Sequence, residues 1–455
     1  MIEIKNCKIM SLEITTRASD PDEFANAFRA GTLCIPFSTL ELTGPEGKFP
    51  AQGMLVSRQE RICLEFYPIP SDGSSMPEIP SRKEIDASQF WDAQVTTYNG
   101  LSLSLKGMFP PSKEERQWEN GVLFFPLEPQ SIHIKREKHP YPSDELEQKS
   151  QPKIHIKAFL ADIKLLFKNE YTTTRVTHPF RSSESICPEL DSLIGEIPGY
   201  KFCFQQKGTD IKVCLSSIEG CLSSDETEDR QTFDGLLSAF SFLHGCEANP
   251  WRLIHERKNF YVLDKIAPRF SNESGSPSPC GGFFMHVRHN DLALRMLTLA
   301  ANYFGNNDPT ANKVREYLWQ FHQSTSGTSV TLFSISHQCA ILEGLAKLLL
   351  KERCGWTKRQ FKDRNNDAMK RFEMVSNHFN ITWTDQFEVI AKTWIDPRNC
   401  LAHGDLFSPT LDPSPQYFKI ARLVGGGILA LMLADMGWKK PFDFKHLEST
   451  SFLYS

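Results

Sequence analysis

The chain changes its hydrophobic period once. From about residue 30 to 215, apolar and polar positions alternate: Ile62, Leu64 and Phe66 with Cys63 and Glu65, and Leu101, Leu103 and Leu105 with serines. Ile132/Ile134, Ile154/Ile156 and Ile211/Val213/Leu215 repeat the pattern. Residues two apart share one face of a strand, so this alternation predicts half-buried β-strands. The stretches 68–80 (PIPSDGSSMPEIP) and 140–152 (PYPSDELEQKSQP) carry too many prolines and turn formers for helix, and they separate the strands. An antiparallel β-sandwich or barrel is expected, with no internal repeat.

After residue 290 the period becomes helical, with candidate helices at 291–304, 311–323, 331–354, 358–379, 385–395 and 415–436. In 331–354, for example, Ile335, Cys339, Leu342, Ala346 and Leu349 fall on one stripe. Ser414 followed by Pro415 is a cap and first-turn signal, and Gly437 a stop. Between the two regimes lie an acidic, Ser-rich boundary at 216–229, a helical stretch at 233–246 and a Pro/Gly/Ser-rich loop at 271–282. The expected class is α+β: a β-rich antiparallel domain over 1–220, a connecting segment over 221–290 and an all-α helical bundle over 291–455.

At 455 residues the chain is long enough to bury a core without disulfides or structural metal. Its net charge of −4 provides no global basic field, so any polyanion site must be local. Twelve cysteines are scattered with no Cys-x-x-Cys pair, which predicts reduced, mostly buried thiols. The first ten residues, MIEIKNCKIM, lack a signal-peptide core, and the longest near-apolar run, 423–434, is well short of the roughly 20 residues that span a bilayer. A cytoplasmic protein with no membrane partner is expected.

The most informative chemistry lies in Asp396-Pro397-Arg398-Asn399-Cys400-Leu401-Ala402-His403-Gly404. Arg and His separated by four to six residues occur three times, as Arg315/His322, Arg371/His378 and Arg398/His403. The first two sit inside continuous helical patterns, where they read as two residues on a solvated face. At Arg398 the surroundings differ. Asp396-Pro397 is a cap plus first turn, Asn399 follows the Arg directly, and Gly404 ends the segment. Asn399 and His403 are i and i+4, where the amide can orient the imidazole. Arg398 would point roughly 140° away on an ideal helix, so a distorted turn or a second copy must bring the cation to the imidazole. The plainer reading is a polar helix end with a capping His, which is common near a helix C-terminus.

These residues, with the preceding "DQFEVIAKTWIDP" and the earlier "ISHQCAILEGLAKLLL" containing Glu343, resemble the ApeA-like HEPN proteins of bacterial abortive-infection defence. The resemblance covers about the last 150 residues; the first half matches that family in layout only. It implies a helical bundle that forms a homodimer across the motif and acts as a metal-independent endoribonuclease, without cofactor. RNA would be the partner, tRNA being one candidate, and a phage-derived trigger would release the activity. The residue types suit the reaction. His403 would move the proton of the ribose 2′-OH, Arg398 would hold the phosphate oxygens, and Asn399 would fix the tautomer. Glu343 would support the site, and the products would carry 2′,3′-cyclic phosphate ends. The alternative class is a non-catalytic module that binds nucleotide or a protein.

A local basic stretch adds to this. Residues 351–371 contain Lys351, Arg353, Lys358, Arg359, Lys362, Arg364, Lys370 and Arg371 against three acids. With Trp356 and Phe361 interleaved, the stretch is a candidate for following an RNA backbone and stacking a base, in particular through Lys351, Arg353, Lys358, Arg359, Lys362 and Arg364. A solvated helix face with i,i+4 pairing such as Arg359/Asp363 is the plainer reading. Other signals are weaker. His286 and His289 have no compelling third ligand, Gly425-Gly426-Gly427 follows no strand and reads as a close helix contact, and the run 135–139 (KREKH) is assigned to a loop.

Overall fold

A computed structural model describes residues 21–44, 47–58, 61–68, 90–97, 102–108, 117–119, 122–127, 131–136, 154–160, 163, 165, 170–177, 184–218, 226–257, 262–266, 290–325, 331–363, 367–383, 414–439, 442–443 and 451–454. The N-terminal part is built on antiparallel sheet and the C-terminal part on helices. The chain divides into two compact units whose segments alternate along the sequence. One holds Met1–Ala161, Lys212–Glu219 and Pro250–Ser271, and the other Asp162–Ile211, Gly220–Asn249 and Asn272–Ser455. This differs from three consecutive stretches, because β-strands distant in sequence complete one another's hydrogen bonding.

The first unit opens with helix α1 (Pro21–Arg29) and continues with β1 (Cys34–Gly44), β2 (Gly47–Arg58), β3 (Arg61–Pro68), β4 (Trp91–Thr97), β5 (Ser102–Met108), β6 (Gln117–Glu119), β7 (Val122–Leu127), β8 (Ser131–Arg136) and β9 (Ile154–Leu160). Most of β13 (Asp210–Ser217) and all of β14 (Pro250–Arg257) and β15 (Val262–Ile266) belong to it. The strands run in the order β13-β9-β14-β15-β8-β5-β4-β1-β2-β3-β7-β6. The alternation seen in the sequence becomes one buried face: Leu64, Phe66, Leu103, Leu105, Ile132 and Ile134 are all fully buried, together with Phe24 and Phe28 of α1. Trp251 of β14 closes this core against Phe28 and Phe159, with ring centroids 6.5 and 5.9 Å away. Strands β14 and β15 fall within the stretch expected to be a connector, and Lys135 and Arg136 are in β8 instead of a loop.

In the second unit β10 (Glu170–Thr177), β11 (Glu184–Ile197) and β12 (Tyr200–Lys207) form antiparallel pairs. Helix α2 (Glu226–His244) starts earlier than the 233 expected, so the acidic boundary ends in its first turn. Acidic side chains there complement the helix N-terminus. Asp229 is fully buried and accepts from the Tyr200 hydroxyl at 2.5 Å. Helix α3 (Asn290–Gly305) crosses α2 so closely that a Cβ on Gly235 would lie 2.4 Å from the Gly305 nitrogen.

The bundle continues with α4 (Pro309–Thr325), α5 (Leu332–Glu352), α6 (Lys358–Lys362), α7 (Ala368–His378) and α8 (Ser414–Asp435). Helix α5 is capped by a reciprocal Thr331/Ser334 box, and its buried stripe includes Ile335, Cys339, Leu342, Ala346 and Leu349, as its period predicts. The expected helix 358–379 is broken: Asp363 is extended, and Asp367 caps a new start by accepting from the Lys370 N–H. Asp and Asn bond the backbone locally, so the run 363–367 (DRNND) favours caps over helix interior. At the end of α8, Gly437 adopts φ +85°, and the amides of Gly437 and Trp438 bond the carbonyls of Ala434 and Leu433. This is the Schellman closure that a glycine stop permits. A small sheet, β16 (Ile381–Trp383), β18 (Ser451–Tyr454) and β17 (Phe442–Asp443), lies beside α7. The expected helix at 385–395 and the loops at 69–80, 140–152 and 271–282 lie outside the described residues. Among the described residues, no helix is long and apolar enough to cross a membrane.

Candidate functional site

Arg398, Asn399 and His403 lie in the stretch 384–413, outside the described residues. Its flanks are described: the chain enters it from β16 and leaves it into α8. Helix α8 runs alongside α5 in the same direction, since Leu342 approaches Gly427 and, farther along, Arg353 meets Asp435. The start of α8 is therefore level with the N-terminal part of α5, the half that precedes Glu343.

Glu343, on α5, is buried. One carboxylate oxygen is 2.6 Å from Lys347 Nζ, one turn on, and 3.5 Å from an Arg371 nitrogen on α7. Arg371 also donates to the Phe361 carbonyl at 2.9 Å and holds its guanidinium 5.9 Å from that ring's centroid. A single side chain thus ties α6 to α5 and α7.

The basic stretch separates into two groups. Arg353 faces inward: its Nε donates to Asp435 at 2.7 Å, and a terminal nitrogen donates to Asp308 at the same distance. The hydrogen bond to Asp435, with support from Asp308, raises its pKa further still. Its charge is therefore spent inside the bundle, which argues against an RNA-binding role. Tyr303 donates to the other Asp435 oxygen, and burial, with the Asp435 charge beside it, raises its pKa. Asp308 also caps α4 by accepting from the Thr310 N–H at 2.9 Å, while the Arg353 hydrogen bond holds its carboxyl below the ordinary range.

Lys351 is exposed and pairs with Glu352 at 2.8 Å. Lys358, Arg359 and Lys362 are exposed on α6, and Arg364 lies outside the described residues. Trp356 is buried against Phe361, with centroids 5.1 Å apart, and is no platform for a base.

Elsewhere, His322 is buried on α4, and burial pushes its imidazole down to about 4. Cys246 contacts His244 Nδ1 at 3.4 Å, but burial pushes its thiol up to about 12, leaving it protonated and unreactive at neutral pH. His286 and His289 lie outside the described residues, and among those described no group of His, Cys, Asp or Glu could hold a metal ion.

The Arg353 cluster was not legible in sequence, because its partners are 45 and 82 positions away. Only the Asp308-Pro309 pair, a cap followed by a first-turn proline, was there to mark the α4 start. No protein-family model, curated protein or solved structure matches the chain.

Proposed function

We propose that this protein is a metal-independent endoribonuclease of the HEPN type, used in abortive-infection anti-phage defence. The observation that carries the reading is Arg398-Asn399-x-x-x-His403, placed by the sequence between β16 and the last helix of a bundle. Two structural features support it: the buried Glu343 carboxylate between two cations on α5 and α7, and exposed cations on the adjoining α6.

Cleavage without a metal uses the ribose 2′-OH as nucleophile. His403 takes its proton, the oxygen attacks the adjacent phosphorus, and the 5′-oxygen leaves with a proton returned to it, giving a 2′,3′-cyclic phosphate and a 5′-hydroxyl. Arg398 binds the non-bridging oxygens, where negative charge builds, in bidentate fashion and keeps its charge at every relevant pH. Asn399 holds the imidazole tautomer. A homodimer facing two motifs supplies the cation that one motif would aim elsewhere. tRNA suits a nuclease whose purpose is to halt translation, and the β-rich unit suits restraint until infection.

The test is incubation of the purified chain with total RNA in excess EDTA, beside Arg398→Ala and His403→Ala, with the RNA ends mapped. Cyclic-phosphate ends with the wild type and none with either variant are expected. No cleavage, even in extract from infected cells, would return the motif to a nucleotide- or protein-binding role.

A further inference from the structure

We infer that α6 is a docking surface for the phosphate backbone of paired RNA, reading charge and shape and not bases. The inference rests on the ribonuclease reading for the class of polyanion.

The fold sorts the cations of this stretch into two sets. Of the basic residues between 351 and 371, the two arginines with internal partners, Arg353 and Arg371, turn inward onto carboxylates and a carbonyl. Lys358, Arg359 and Lys362 point outward from a single turn of helix, and among the described residues none of the three is engaged in an ion pair or hydrogen bond. Lys358 and Lys362 are i and i+4, so they project from one side, with Arg359 adjoining.

The turn that presents them is also anchored. Thr357 and Gln360 bond reciprocally at its start, Trp356 packs on Phe361, and Arg371 holds the Phe361 carbonyl and faces its ring. A five-residue helix would not persist unaided, since nucleation is costly. Here tertiary contacts keep the cations together on one surface, which lowers the ordering cost of binding.

Finally, among the described residues of this turn no aromatic face is open for a base. Surfaces for single strands combine cations with open aromatic faces on which successive bases stack. Trp356 is buried, and the half-buried Phe361 has Trp356 and the Arg371 guanidinium against its ring. What remains is electrostatic attraction, which grows with charge density and so favours a duplex over a single strand. A base-paired stem is the RNA class that fits.

The experiment measures affinity for a 20-base-pair RNA duplex and a 20-nucleotide single strand from roughly 50 to 300 mM salt. It uses the full chain carrying His403→Ala, with and without Lys358→Ala/Arg359→Ala/Lys362→Ala. The duplex is expected to bind more tightly, equally for unrelated sequences. The triple variant should flatten the slope of log affinity against log salt by roughly 2 to 3, at about 0.9 per lost phosphate contact. Removal of Lys106 and Lys201, exposed lysines elsewhere, should leave the slope unchanged. An unchanged slope in the triple variant overturns the inference, as does tighter, base-dependent binding of the single strand. Displacement of the duplex by polyglutamate at equal charge also overturns it, in favour of an acidic protein partner.

The two readings fail separately. Slope-dependent binding without cleavage by the native chain removes the nuclease and leaves the surface. Cleavage with KM for a stem-containing RNA unaffected by the triple variant removes the surface and leaves the nuclease.

Discussion

Arg353, at the C-terminus of α5, is joined to Asp435, at the end of α8, by two hydrogen bonds of 2.7 and 3.2 Å, and the Asp435 side chain is 1% exposed. The same guanidinium reaches Asp308 at the start of α4, and Tyr303 of α3 donates to Asp435. Four helices are fastened at one charge. Arg353→Met keeps the aliphatic stem but leaves Asp435 buried without its cation. A loss of about 2–4 kcal/mol is expected in denaturant unfolding, since removing one partner of a buried pair is worse than never having the pair. Asp435→Asn, which keeps shape and hydrogen bonding, should cost less.

Acid should weaken the helical unit in two steps. His322 is held neutral at about 4 in the folded state against 6.5 when exposed. Between those values the unfolded chain binds a proton that the native chain does not, so stability falls as pH drops from about 6.5 to 4, by about 3 kcal/mol in all. Asp308, whose folded pKa is depressed, contributes stability that is lost at still lower pH, as its carboxylate is protonated. Unfolding curves between pH 7 and 4.5 should be flatter for His322→Gln than for the native chain.

Two glycines in helices should respond oppositely to alanine. At Gly235 the new Cβ would lie 2.4 Å from Gly305 nitrogen and 3.0 Å from the Ala301 carbonyl oxygen, both backbone atoms that cannot turn away. Gly235→Ala should cost about 1–3 kcal/mol or more through separation of α2 and α3. At Gly427 the nearest atoms are Leu342 methyls at 3.6 Å, ordinary contact. Gly427→Ala should be neutral or gain up to about 1 kcal/mol of helix propensity, read as a melting-temperature shift.

Arg371→Met should loosen α6. The side chain links the Phe361 carbonyl to Glu343, so its removal frees the turn and leaves Glu343 with Lys347 as its near cation. Hydrogen exchange at residues 358–362 should accelerate while α5 stays protected, and the duplex salt slope should flatten although no outward cation has been removed. Unaltered exchange in α6 would show that Trp356 packing suffices to hold the turn.

How much was legible follows from how local each feature is. The strands around 62–66, 102–105, 132–134, 154–156 and 211–215 were visible because alternation needs only neighbours in sequence. So were α3, α4, α5 and α8, whose stripes and caps are local as well. The break between α6 and α7 was missed because Phe361, Met369 and Phe372 keep a helical spacing on either side of 363–367, while Asp363 and Asp367 stop and restart the helix. Strands β14 and β15 were missed because only pairing with β9 and β8 makes strands of them. At the candidate site, Arg398, Asn399 and His403 are known from their spacing alone.

Sequence by itself determined the change from a two-residue to a 3.6-residue period, the stop at Gly437, and the motif at 398–403, since each depends on residues within a few positions. Tertiary structure alone decided which charges are available. Lys358, Arg353 and Arg371 are equivalent in a count of basic residues, yet Arg353 and Arg371 are neutralised by Asp308, Asp435 and Glu343 while Lys358 faces solvent. Long-range packing brings carboxylates to some cations and not to others. Electrostatic strength depends on that distance and burial, which no local pattern encodes.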